Sequence, residues 1–284
     1  MSFSWNLLLD IQDMWSYPYM VTAYRAGTVV ADLAALVGWF MVLRRQTFAG
    51  HTLSLVGFPG AAAAVWLGLG AATGYFAFCL AAAVVFAAVP ARGRSGDSGE
   101  SAVIGTVQAF ALAAGMLFVS LFKGFLNSTT SLLFGSFLGI TDGQVLALVV
   151  FAALALLVLA VIGRPLLFTS IDRDVARAHG VRTRALDVAF LLLLGASAAE
   201  VSQITGALLV FALLVLPPAT AQRITARPAA GLLLSVVLGL LVVWVALFVA
   251  YYSPYPIGFW LTTFAFGLYA LAVAGPAVRR VVAA

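Results

Sequence analysis

The stretch SIDRDVARAHGVRTR, Ser170–Arg184, holds six charged residues in fifteen, in a chain where only 9% of residues are charged. On its N-terminal side runs GQVLALVVFAALALLVLAVIG, residues 143–163, without a single charge. On its C-terminal side runs ALDVAFLLLLGASAAE, residues 185–200. An apolar run of about 20 residues spans the ~30 Å hydrocarbon core of a bilayer as an α-helix. A charged helix between two such runs must face water or a soluble protein, because lipid offers its charges no solvation. A membrane protein with a charged helix on its basic side is expected to hand force or a signal to something soluble.

The rest of the chain repeats the pattern. Of 284 residues, 64% are hydrophobic, and the mean hydropathy is +1.11. Soluble domains average about 25% charged residues, so this composition excludes one. A transmembrane β-barrel would need ~10-residue alternating segments, and these runs do not alternate. The fold class expected is all-α: a polytopic transmembrane bundle of eight or nine spans, nine preferred, forming one transmembrane domain over 1–284. No loop exceeds about twenty residues, too short for a catalytic module. Cys79, the single cysteine, sits in an apolar run and reads as a small buried hydrophobe, leaving no disulfide or thiolate metal cage. The opening residues 1–19 lack a basic n-region and a small-residue cleavage site, so they are expected to form an interfacial segment, with Asp10 and Asp13 among Trp and Tyr, rather than a signal peptide.

The expected spans are 20–43, 50–70, 71–90, 101–122, 143–163, 185–200, 203–222, 229–250 and 256–277, and the sixth and seventh also read as one broken hairpin. With the N-terminus outside, every inner loop is basic: Arg44 and Arg45; Arg92 and Arg94; Arg164 through Arg184; Arg223 and Arg227; Arg279 and Arg280. Outer segments hold Lys123 against Asp10, Asp13 and Asp142. The positive-inside rule therefore places the N-terminus outside and the C-terminus in the cytoplasm. The net charge of +5 sits at span ends and is no nucleic-acid footprint. Residues 124–142, GFLNSTTSLLFGSFLGITD, are apolar but broken by polar residues, and read equally as a re-entrant segment or an amphipathic cap. No internal repeat is evident, which weakens inverted-repeat transporters.

Chemistry-bearing motifs are few. A P-loop, HExxH and a strand–helix GxSxG are all missing, so the chain is not read as an enzyme, and any active transport draws its energy from another subunit or an ion gradient. Arg25 and Asp32 lie seven apart in the first span, two turns along one face but about 10 Å in rise, so each is expected to pair with another helix. Charges at that depth cost about 2.5–3.5 kcal/mol each and mark a pathway or a helix anchor. Glu200 and Gln203 read as a solvated outer turn. His51 stands near the mouth of the second span, either a packed residue or a ligand. One histidine cannot complete a tetrahedral zinc site, although a dimer supplies a second. Pro59 and Gly60 are expected to break that helix near mid-membrane and free carbonyls to line a cavity. Pro217 and Pro218 mark a distortion in GALLVFALLVLPPATAQRI, Gly206–Ile224, followed by small residues that allow close helix packing.

Three of these places resemble one family, the membrane-spanning permease of zinc- and manganese-type ABC transporters. Its F-x-G-D-x-L-S-H-A-x-x-P-G motif is matched by Phe48, Gly50, Leu53, Ser54, Pro59 and Gly60, with His51 and Leu55 at the motif's Asp and His. Its G-A-L-L-x-x-x-L-L-x-x-P-A-A-T-A motif is matched by Gly206–Leu209, Leu213, Leu214, Pro217 and Ala219–Ala221. Its D-x-x-x-A-x-x-x-G coupling helix is matched by Asp172, Ala176 and Gly180, within a coupling region 168–184.

The resemblance covers nearly the whole chain. It implies a bacterial cytoplasmic-membrane permease pairing with a second permease copy, a cytosolic ABC ATPase that binds the ATP, and an external solute-binding protein. In this chain itself it implies no bound cofactor, only a divalent metal ion in transit. It implies a metal path through His51, with Arg25, Asp32, Pro59 and Gly60 along it, and ATPase coupling through Asp172, Asp174, Ala176, Arg177 and Gly180. Asp172 and Asp174 suit the helix dipole. Imidazole in place of a carboxylate at position 51 moves preference from Mn²⁺ toward Zn²⁺ or another borderline ion, and Leu55 removes a donor. Other readings stay open: a permease for a metal chelate or other solute, an ion-coupled secondary carrier, and a non-transport membrane scaffold.

Overall fold

The computed structural model describes residues 7–88, 97–121, 135, 139–207 and 209–282, and these are helices joined by short turns. In chain order they are α1 (Leu7–Trp15), α2 (Pro18–Leu43), α3 (Thr47–Trp66), α4 (Ala71–Ala88), α5 (Asp97–Leu121), α6 (Asp142–Ile171), α7 (Arg173–Ala178), α8 (Thr183–Thr205), α9 (Val210–Ile224), α10 (Pro228–Tyr252) and α11 (Ile257–Val282).

Eight of them, α2 to α6, α8, α10 and α11, are long and apolar enough to cross a membrane. The expected span at 203–222 is instead the last turn of α8, a helix break and then α9, fifteen residues and about 22 Å long, short of a full ~30 Å crossing. The break comes at Gly206, whose φ of +78° ends α8. The expected span at 143–163 runs on to Ile171. At its start Thr141 and Gln144 cap each other, with Gln144 Oε1 accepting from the Thr141 N–H at 2.9 Å. Residues 124–142 lie largely outside the described residues. Gly135 is described: at φ +76° its Cα rests on the backbone at the end of α8, where a side chain would strike Ile204 and Thr205.

The chain divides into two compact units. The first comprises Met1–Trp39, Ser136–Ala152 and Ala212–Ala284. In it α10 packs along α2 through small residues, with Gly231 against Trp39 and Gly239 against Ala31 and Ala35. The Tyr24 hydroxyl donates to the Trp244 carbonyl at 3.1 Å, and Trp244 Nε1 donates to Thr28 at 3.0 Å. α1 is tied down by Tyr252, whose hydroxyl donates to the Asp10 carbonyl, and by Tyr251, whose hydroxyl donates to the Asp13 carboxylate. Leu233, Val237, Leu241 and Trp244 lie three to four apart on α10 and are exposed, as a lipid-facing stripe requires.

The second unit comprises Phe40–Gly135 and Ala153–Phe211, with α3 at its centre, packed by α4, α5 and α8. Every residue of α3 from Ala49 to Ala64 except His51 is buried. The helix runs through Pro59 without interruption, so the expected break is absent. Gly60 and Gly74 bring α3 and α4 so close that a Cβ on either would run into the other's carbonyl. Cys79 is wholly buried among Leu53, Gly57 and Gly195, its thiol donating to the Leu53 carbonyl at 3.2 Å.

Candidate functional site

The charged island folds as a capped single turn and a half of helix. Asp172 is extended (φ −142°, ψ 108°), and its carboxylate accepts from the N–H groups of Asp174 and Val175 at 3.0 and 2.9 Å. An N-cap of this kind contributes about 1 kcal/mol. At the other end the Gly180 N–H donates to Arg177 O and the Val181 N–H to Ala176 O, a Schellman closure with Gly180 at φ +78°. Ala176 is the one fully buried residue of α7 and seats it on α8, while Asp174, Val175 and Arg177 are exposed beside the exposed Ile171. Arg177 pairs with Asp174 at 3.4 Å and donates to Thr183 at 3.2 Å. Being exposed, that ion pair contributes a few tenths of a kcal/mol.

Behind α7 stands a cluster that the sequence reading passed over. The Asp187 carboxylate, one turn into α8, bridges Arg44 at the end of α2 and Arg173 at the start of α7. Arg44 also donates to the hydroxyls of Thr169 and Ser170, at 3.3 and 3.2 Å, at the end of α6. Its guanidinium lies 5.6 Å above the Phe190 ring. Burial lowers the Arg44 pKa from its ordinary value, and the Asp187 carboxylate acts against that shift. Three helices thus meet on one carboxylate, and α6 joins them through Arg44. The available signal was a lone Asp one turn inside an apolar run that follows a basic loop; its partners are distant in sequence and carry no spacing pattern.

The remaining candidates are separated. His51 is half-buried in the first turns of α3, its Nδ1 without a hydrogen-bond partner and its ring edge-on to Phe211 at 4.5 Å. Leu55, one turn on, is buried. Pro59 and Gly60 are buried where α3 meets α4 and α5. Arg25 and Asp32 do not pair: Arg25 is exposed beside a cavity of about 480 Å³ lined by Trp15, Tyr24 and Trp244, whereas Asp32 is half-buried with Oδ1 unpartnered. Glu200 is no solvated turn. It lies inside α8, only 8% exposed, with Gln203 Nε2 donating to it at 3.0 Å. Among the described residues no three His, Cys, Asp or Glu side chains converge as a metal cage.

Comparison with known proteins gives one family. The ABC 3 transport family matches residues 16–275. The chelated iron transport system membrane protein YfeC of Yersinia pestis is 32% identical over 79% of this chain and 75% of its own length. The manganese import system permease protein ScaB of Streptococcus gordonii is 29% identical over 85% of each chain. Among solved structures, PsaBC from Streptococcus pneumoniae in complex with Fab superposes with a TM-score of 0.82, at 24% identity over 94% of this chain and 95% of that one, a likeness of fold. The match runs from the start of α2 into α11 and takes in the α2–α3 turn, the capped α7 and the α8–α9 break: this multi-pass membrane protein belongs to the ABC 3 transport family of ABC transporter permeases.

Proposed function

We propose that the chain is the membrane permease subunit of an ABC importer for a divalent transition metal ion. The observation that carries this reading is α7: a doubly capped, exposed helix joined to α2 and α8 through Asp187 and, by way of Arg44, to α6. A helix built this way transfers displacement rather than absorbing it, because its ends are closed by hydrogen bonds and its root is a part-buried charge cluster. In this reading the arginine-bearing loops lie in the cytoplasm, and α7 docks into a cytosolic ATPase through Asp174, Val175, Arg177 and Ile171. A second permease copy completes the central path, and an external solute-binding protein delivers the ion. ATP binding draws the two ATPases together, pushes on α7, and rocks the spans between outward-open and inward-open states.

Metal is the cargo favoured by the relatives, whose names refer to iron and manganese transport. His51 contributes an imidazole to the path. The test is ATPase activity of the co-purified permease, ATPase and binding protein, titrated with Zn²⁺, Mn²⁺ and Fe²⁺. Stimulation by one ion, lost in His51→Ala, is the expected result; a stable complex indifferent to every ion refutes free metal as cargo. A second reading, a metal chelate, is favoured by buried Leu55, where the family motif has a histidine, and by the chelated-iron relative. It predicts stimulation by chelated and not by free iron.

A further inference from the structure

Beside the Asp187 cluster a cavity of about 630 Å³ opens where α2 and α6 end and α3 and α7 begin. Arg44, Arg45, Gln46, Ser101, Ser170 and Arg173 line it. The volume lies within the range of small-ligand sites. Among the described side chains the charge balance is positive: Asp187 is one carboxylate against the guanidinium groups of Arg44 and Arg173, and Arg45 makes no ion pair there. The Nε groups of Arg44 and Arg173 and Oε1 of Gln46 are buried without a hydrogen-bond partner. The Arg44 side chain is only 7% exposed, so an unused donor there has lost its water without gaining an acceptor.

Arg45 adds an independent observation. α2 closes by a Schellman motif, with the Arg45 N–H donating to Val42 O and the Gln46 N–H to Met41 O, and Arg45 occupies its left-handed position at φ +58°. The same closure ends α3 at Gly68 and α7 at Gly180, where glycine meets the conformation without strain. At the α2 cap a strained arginine stands instead, and it stands on the cavity wall. Strain of this kind persists where the side chain is needed.

We infer that this cavity binds a phosphate-class anion, held by Arg44, Arg45 and Arg173 with the Ser101 hydroxyl as a further donor. Arginine forks match phosphate oxygens with two parallel hydrogen bonds. The cavity lies at the ends of membrane spans, and Phe48 on its rim is exposed, which suits a phospholipid headgroup whose chains pass into the bilayer. Inorganic phosphate or a soluble phosphate ester shares the chemistry, and the two sources are separable by experiment. The site needs neither ATPase nor metal, so it stands or falls apart from the transport reading.

The purified permease in zwitterionic phosphatidylcholine nanodiscs is titrated with phosphatidylglycerol and, separately, with inorganic phosphate, with bound lipid counted by native mass spectrometry and anion affinity read by thermal shift. Arg45→Gly removes the guanidinium and relieves the strained φ, so the variant folds at least as stably as the parent. Retention of phosphatidylglycerol weakened about fivefold or more in Arg45→Gly and unchanged in Arg184→Gln, an exposed arginine at the start of α8, supports the lipid source. Saturable phosphate binding with the same Arg45 dependence supports the soluble source. The proposal is overturned by no saturable binding of either probe, or by equal losses in the two variants.

Discussion

Asp187→Asn removes the negative charge on which α2, α7 and α8 converge. Arg44 is 7% exposed and Asp187 19%, so this arm belongs with buried pairs, where removing one partner costs about 3–5 kcal/mol. The hydrogen bonds from Arg44 to Thr169 and Ser170 survive and place the loss at the low end, about 3 kcal/mol. The arm to Arg173, 38% exposed, adds under about 1 kcal/mol. The loss is assigned to the pair by a double-mutant cycle with Arg44→Gln, read by equilibrium unfolding in mixed detergent micelles monitored by circular dichroism. Asp187 and Arg44 are in direct contact, so the double variant is expected to cost about 1.5–3 kcal/mol less than the sum of the singles. Singles that add to within about 0.5 kcal/mol would refute the bridge. A second readout separates stability from coupling: at a temperature where Asp187→Asn stays folded, cargo-stimulated ATP hydrolysis in the assembled transporter falls while ATPase binding persists. Full stimulation would mean that Asp187 holds the fold but transmits nothing.

Gly180→Ala meets no atom within 4 Å, yet φ +78° costs an alanine about 1–2 kcal/mol, enough to fray α7. The expected result is a severalfold loss of cargo-stimulated ATPase with an unchanged global unfolding midpoint; wild-type stimulation would detach α7 from coupling. Gly60→Ala and Gly74→Ala each force α3 and α4 apart and are expected to destabilise by about 1–3 kcal/mol, with the double variant costing less than the sum because both relieve one contact. Stability equal to the parent in either single would refute the close approach. Cys79, 0% exposed, is expected to resist a maleimide in the folded protein and to react once sodium dodecyl sulfate unfolds it. Rapid labelling of the native protein would contradict the packing of α3, α4 and α8.

Much of this architecture was written in local chemistry. Charge-free runs such as 143–163 can be satisfied only in lipid or a buried core, and a run that long admits only a helix that closes its own hydrogen bonds. The island Ser170–Arg184 displayed its helix because its punctuation, Asp172 before and Gly180 after, acts within a single turn, and the structure realises both as hydrogen-bonded caps. Tertiary structure decided what depends on partners far away in sequence. Composition around Pro59 suggested a broken helix, but α3 runs on through it because α4 and α5 bury both of its flanks. Glu200 read as a solvated turn, yet α8 extends to Thr205 and takes it inside. Asp187 stood out only as a lone charge in an apolar run; its pairing left no pattern, since Arg44 lies 143 residues away, and no periodicity encodes a contact of that range. The sequence determined which segments enter the membrane, because transfer into lipid is summed residue by residue. The fold determined which charges meet there, because an ion pair exists only once packing has brought its two halves together.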